Sequence, residues 1–115
     1  MAKVLQLTKD LVVQYLEKEN KALREKKNDI QMEKDIADFT VAKLRSTISS
    51  ALLQDHPRDF SERDYNLAID SLCKDGVLQK IYSEKPGERL YVPIKIIVDM
   101  PGGTSGYLYY LAGKK

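Results

Sequence analysis

Few residues in this chain are equipped for covalent or acid–base chemistry. His56 is its one histidine and Cys73 its one cysteine. A catalytic thiol needs a nearby base and a structural zinc site needs about four ligands, so one residue of each kind supplies neither. His56 precedes Pro57 in the connector Gln54-Asp55-His56-Pro57-Arg58-Asp59 and reads as a surface loop residue. Cys73 falls on an apolar stripe and reads as a small core residue. The run Gly102-Gly103-Thr104-Ser105-Gly106 has the small residues of a phosphate loop. It lacks the glycine-lysine-serine ending and the following helix, and so reads as a hairpin turn. The acids are spread as solvated charges, with no pair set apart for proton transfer. We therefore expect no catalytic residue, no metal, no cofactor and no small-molecule substrate.

The composition fits that expectation. At 115 residues, 43% hydrophobic and 31% charged, the chain has enough apolar material for one core. A single domain over residues 1–115 is expected. No apolar run approaches the roughly 20 residues of a membrane span, so no membrane partner is expected. The apolar start Val4-Leu5-Gln6-Leu7 is interrupted by Thr8, Lys9 and Asp10, too soon for a secretion signal. One cysteine makes no internal disulfide, which suits a reducing, intracellular setting, cytoplasmic or nuclear. The net charge of +2 is only mildly basic and does not by itself name a partner.

Hydrophobic periodicity predicts three helices and then an extended C-terminal third. The first helix is expected to start near Thr8, with Leu11, Val12, Tyr15 and Leu16 on one face. From Glu17 to Lys34 basic and acidic residues nearly balance, which reads as a solvated helix end and loop. A second helix is expected over Val41–Leu53, capped by Thr40, with Val41, Leu44, Ile48, Ala51 and Leu52 inward. Ile36 and Phe39 would extend that face if the helix began near Glu33. The third helix is the best punctuated. Ser61 and Asp64 make a capping box, Phe60 and Tyr65 a hydrophobic staple, and Gly76 a left-handed stop. Its inward stripe is Tyr65, Ala68, Ile69, Leu72 and Cys73.

Strands follow at Val77–Tyr82 and Arg89–Val98, separated by the turn Ser83–Glu88 with its Pro86-Gly87 signal. Pro93 demands an edge, a bulge or a break within the second run. A glycine-rich turn then leads to Tyr107–Ala112, expected to pair with the run ending at Val98.

Three helices, then a hairpin closed by a polar Pro-Gly loop, resemble a winged-helix (winged helix-turn-helix) domain. The stretch Phe60–Val92 carries the likeness, with the exit Lys74-Asp75-Gly76-Val77 and a charged wing between two strands. The implied class is α+β, with a small antiparallel sheet. The core would span about residues 6–98, with a C-terminal strand extension over 99–115.

The resemblance implies binding. In the nucleic-acid-binding form, the outward face of the third helix enters the major groove of double-stranded DNA and the wing meets the backbone. Arg63 is then placed to read guanine and Asn66 adenine, with Ser61 and the helix-start amides on a phosphate. Lys74, Lys85 and Arg89, with Lys43 and Arg45 from the second helix, would complete a DNA surface in a regulatory (transcription) or replication setting. Charge works against the helix: Ser61–Asp75 has four acids (Glu62, Asp64, Asp70, Asp75) against two bases (Arg63, Lys74). The hairpin region Gln79–Lys95 is better, with Lys80, Lys85, Arg89 and Lys95 against Glu84 and Glu88. The alternative is a protein–protein interaction module, in a larger assembly or a homodimer. Leu67 on the outward face and the terminal tyrosines Tyr107, Tyr109 and Tyr110 would form its interface.

Overall fold

The chain was analysed as a computed structural model, which describes residues 2–26, 39–92 and 94–112. Three helices lie against one face of a five-stranded sheet. Helix α1 (Ala2–Lys26) is followed by strand β1 (Thr40–Leu44), helices α2 (Arg45–Asp55) and α3 (Glu62–Lys74), and strands β2 (Leu78–Ser83), β3 (Arg89–Val92), β4 (Ile94–Asp99) and β5 (Gly106–Leu111). The α+β class is as expected, while several element boundaries are not.

Helix α1 starts well before Thr8, which is no cap. Its buried hydroxyl bonds back to the Val4 and Leu5 carbonyls inside the helix. The charged stretch also stays helical to Lys26, since its charges sit on a solvated face; Lys27, Glu33, Lys34 and Ile36 lie outside the described residues.

The expected second helix is two elements. Thr40–Leu44 is a strand, and the helix begins only at Arg45, with Leu44 as an N-cap that makes no side-chain bond. The spacing misleads because β1 is central and buried on both faces. Val41 and Lys43 face the helices while Ala42 faces the other side, and such a strand mimics an apolar helical run.

Helix α3 forms as its punctuation predicts. Asp64 N–H donates to Ser61 Oγ at 3.2 Å, and Ser61 N–H donates to Asp64 Oδ2 at 2.9 Å. Phe60 and Tyr65 meet edge to face at 6.0 Å, and Gly76 takes the left-handed turn at φ +83°.

Strand pairing departs from expectation. The sheet order is β2-β5-β1-β4-β3, and β1 runs parallel to β4 while the other pairs are antiparallel. The hairpin partner of β2 is therefore β5, not Arg89–Val98. That run folds back on itself, Val92 opposite Ile94 and Arg89 opposite Ile97. Pro93, where the break was expected, lies outside the described residues. Nor does β5 pair with the run ending at Val98, because β1 sits between them.

The order also requires a curled sheet. Flat, its edge strands β2 and β3 would lie about 19 Å apart, four steps of ~4.8 Å. Ser83 ends β2, and Gly87 and Glu88 pair with Val98 of β4 in line with β3. A mere five positions apart, Ser83 Oγ and Glu88 Oε1 are hydrogen-bonded at 2.8 Å. The sheet thus rolls until its edges meet at one end, and two cores result. Outside the roll, Val12, Leu16, Ile48, Leu52, Tyr65 and Ile69 of the helices pack on Leu78 and Tyr109. Inside it, Ala42, Ile96, Val98, Met100, Leu108 and Tyr110 pack on one another.

Leu108 is fully buried inside the roll. Leu108→Ala is expected to cost about 2–5 kcal/mol, read as a lower midpoint in urea denaturation.

Candidate functional site

The outward side of α3 is differently charged from what its sequence suggests. Asp64 is spent in the capping box, so its carboxylate occupies the helix-start amide where a phosphate was expected beside Ser61. Asp75 is paired with Lys9 at 2.7 Å. Asp70 accepts from Arg45 Nη2 at 2.6 Å. Arg45 and Lys9 thus supply two positive charges against the four acids and two bases of Ser61–Asp75, which leaves the group formally neutral. Arg63, Leu67 and Lys74 are exposed along this neutralised face, and Asn66 is half-buried with a side-chain oxygen that has no hydrogen-bond partner.

Arg45 itself is not available to a phosphate. Its guanidinium donates to the Asn66 carbonyl, to Asp70 and to the Tyr109 hydroxyl, and lies over the Tyr109 ring at 5.1 Å. Burial opposes its charge, but the bonds to Asp70 and Tyr109 outweigh this and hold its pKa above the ordinary arginine value.

Lys43 is even further removed from solvent, 6% exposed in the middle strand. Its ammonium is 2.8 Å from Glu19 of α1 and 2.9 Å from Asp99 of β4, and it lies over the Tyr15 ring. Burial disfavours the charge, yet the bonds to Glu19 and Asp99 prevail and raise its pKa above the usual lysine range. Placing Lys43 and Arg45 on a DNA surface is therefore corrected: once Thr40–Leu44 is a strand, both side chains turn inward. Lys85 is exposed in the 83–88 link, and Arg89 lies on β3, across the sheet from β2, with its guanidinium 5.8 Å from the Phe39 ring centre. The expected basic set is thus not gathered on one surface.

The three terminal tyrosines also separate. Tyr109 and Tyr110 are buried, the first under Arg45 and the second donating to Gln79 Oε1 at 3.0 Å inside the roll. Burial pushes the Tyr110 hydroxyl pKa up. Tyr107 alone is outward, 53% exposed. It lies directly opposite Tyr82, itself 50% exposed, with ring centres 5.5 Å apart at 73°. Lys80 Nζ stands 4.8 Å from the Tyr107 centroid. A cation–aromatic strip follows: Arg45, Tyr109, Lys80, Tyr107, Tyr82. Sequence reading counted Lys80 among the hairpin bases but missed Tyr82, because the alternation along β2 gains meaning only once β5 is known to be the neighbour.

Two clefts flank this region. One of about 390 Å³, between α3 and the β2–β5 hairpin, is lined by Arg45, Asp70, Cys73 and Lys80. Burial pushes the Cys73 thiol pKa up, so it stays protonated near neutral pH and is a poor nucleophile. The other cleft, about 270 Å³, brings Val4 of α1 beside the 51% exposed Leu67. His56 Nδ1 stands 3.3 Å from Asp59 in its connector. Residues 101–105 simply join β4 to β5, with Thr104 bonded to the Pro101 carbonyl. Among the described residues, no three or more His, Cys, Asp or Glu side chains converge as metal ligands, and no helix is long and apolar enough to cross a membrane.

Two substitutions check these assignments. Ser61→Ala is expected to cost about 1 kcal/mol by removing the cap. Lys43→Gln is expected to cost about 1–3 kcal/mol in urea denaturation at neutral pH, since Glu19 and Asp99 lose their shared donor. The folded pKa of Lys43 lies above the unfolded value of 10.5, so its contribution is whole below that pH. The gap between wild type and Lys43→Gln should hold steady from about pH 6 to about pH 9, then close as pH rises through the folded pKa.

No family model matches the chain, no curated protein matches it in sequence, and no solved structure matches it in fold.

Proposed function

We propose that this is a non-catalytic nucleic-acid-binding domain of winged-helix type, acting on double-stranded DNA in a regulatory or replication setting. The type is supported by three helices followed by an antiparallel hairpin, β2–β5, with residues 84–105 inserted at its turn as an enlarged wing. The single observation that carries the function is the neutralisation of α3. Its central acid is held by Arg45, its C-terminal acid by Lys9 and its N-terminal Asp64 by the cap, while Glu62 stays exposed in the first turn. The repulsion that its composition implied is thereby largely removed. Arg63 and Lys74 then supply base-edge and phosphate contacts from the helix, while Lys80 and Lys85 supply phosphate contacts from the hairpin and its link, and the buried Asn66 oxygen leaves that residue out of the set.

The test is fluorescence anisotropy of a duplex of about 25 base pairs at about 50 and 200 mM salt. Affinity should fall steeply with salt. The double variant Arg63→Glu/Lys74→Glu should bind at least about tenfold more weakly, with a shallower salt slope. No binding by micromolar protein at the lower salt would overturn the proposal.

One observation favours a second reading, a homodimer or assembly module. Val4 and Leu67 line the same cleft, and Leu7 lies exposed one turn along α1. On this reading the wild type dimerises with concentration in sedimentation velocity and Leu67→Glu stays monomeric. A wild type that is monomeric throughout removes the homodimer.

A further inference from the structure

We propose that the outward corner formed by Lys80, Tyr82 and Tyr107 is a stacking site for unpaired nucleotides, so that the domain engages a single-stranded segment of nucleic acid as well as duplex. This inference rests on the nucleic-acid-binding reading and names a second ligand class within it.

Tyr82 and Tyr107 are cross-strand partners on the helix side of the β2–β5 pair. Burial does not explain them. On the same face of the same two strands, Leu78 and Tyr109 are buried under the helices, whereas Tyr82 and Tyr107 lie beyond that cover, each about half exposed after contact with the other. Nearly perpendicular at 73°, the two rings form an aromatic corner. A planar base stacked on one ring brings its edge against the other.

Charge on the corner suits a polyanion. Neither β2 nor β5 contains an acidic residue, and the exposed Lys80 has its ammonium 4.8 Å from the Tyr107 ring centre. Asp70, which shares a cleft with Lys80, is engaged by Arg45, Glu88 accepts from the Ser83 hydroxyl, and Glu84 is exposed in the 83–88 link. An aromatic platform with an adjacent cation is the chemistry that holds single strands without base preference.

The same geometry selects against paired bases. A duplex presents base edges in its grooves and keeps base faces stacked inside. Only an unpaired or terminal base shows a face to a tyrosine ring. The corner therefore separates single strand from duplex by stacking, while α3 depends on edges and phosphates.

The experiment titrates the full chain into fluorescein-labelled oligothymidylate of about 20 nucleotides, and into a duplex of equal length, at about 50 mM salt. Tyr82→Ala/Tyr107→Ala should weaken single-strand binding about tenfold or more and change duplex binding less than about twofold. Tyr82→Phe/Tyr107→Phe, which keeps both rings, should retain single-strand affinity. Thermal melting of each variant checks folding, and the single variant Tyr82→Ala serves if the double variant melts early. Duplex binding without single-strand binding overturns this inference and leaves the proposed function standing. So does single-strand binding that survives the alanine pair, or a duplex affinity that falls in parallel. Absence of binding to either probe overturns both.

Discussion

The structure depends on how one buried charge is satisfied. Lys43 lies in the central strand with almost no solvent contact, and removing an ammonium from water costs several kcal/mol unless its donors are met. Its two carboxylate partners come from different layers, Glu19 from α1 and Asp99 from the strand parallel to β1. Meeting both fixes the pitch of α1 on the sheet and the register of β1 against β4. Asn20, next in sequence to Glu19, accepts from the Val41 amide at 2.8 Å, an amide near the start of β1 where the β5 ladder does not reach. Two adjacent residues of one helix thereby complete the middle strand.

With β1 so placed, the rest of the sheet has little freedom. The strand takes β5 on one side and β4 on the other, sending the β2–β5 hairpin and the β3–β4 hairpin to opposite flanks. The short 83–88 link then draws the flanks together, and the roll gives the face away from the helices an apolar filling of its own. A helical layer on one side and a self-packed roll on the other let a small chain bury both faces of a sheet.

The surface follows from the same economy of charge. Arg45 sits one residue past β1, where α2 begins, and turns toward α3 to neutralise Asp70 and cover Tyr109. Two basic residues that composition offers to a polyanion are used internally. What remains outward is a helix face whose Asp70 and Asp75 are paired while Glu62 stays exposed, and a hairpin corner where aromatic rings and a lysine meet beyond the helical cover. On the proposed reading, affinity for nucleic acid would come from a few well-placed contacts and stacking more than from net charge.

Local chemistry written in consecutive residues was legible in the sequence. Ser61, Asp64, Phe60, Tyr65 and Gly76 specify α3 because caps, staples and left-handed stops involve neighbours a turn apart. Strand β1 was not legible, since Val41, Leu44 and Ile48 satisfy helical spacing while the first two belong to a strand buried on both faces. Partner choice was not legible either. Pairing β2 with β5 across residues 84–105 is decided by burial and by the ion pairs of a strand far away in sequence. For that reason Tyr82, Lys80 and Tyr107 came together as the proposed site only in three dimensions, and Lys43 and Arg45 turned out to be engaged in internal ion pairs. Sequence determined the elements whose energetics are local; tertiary structure alone decided which charges are spent inside and which rings are left exposed.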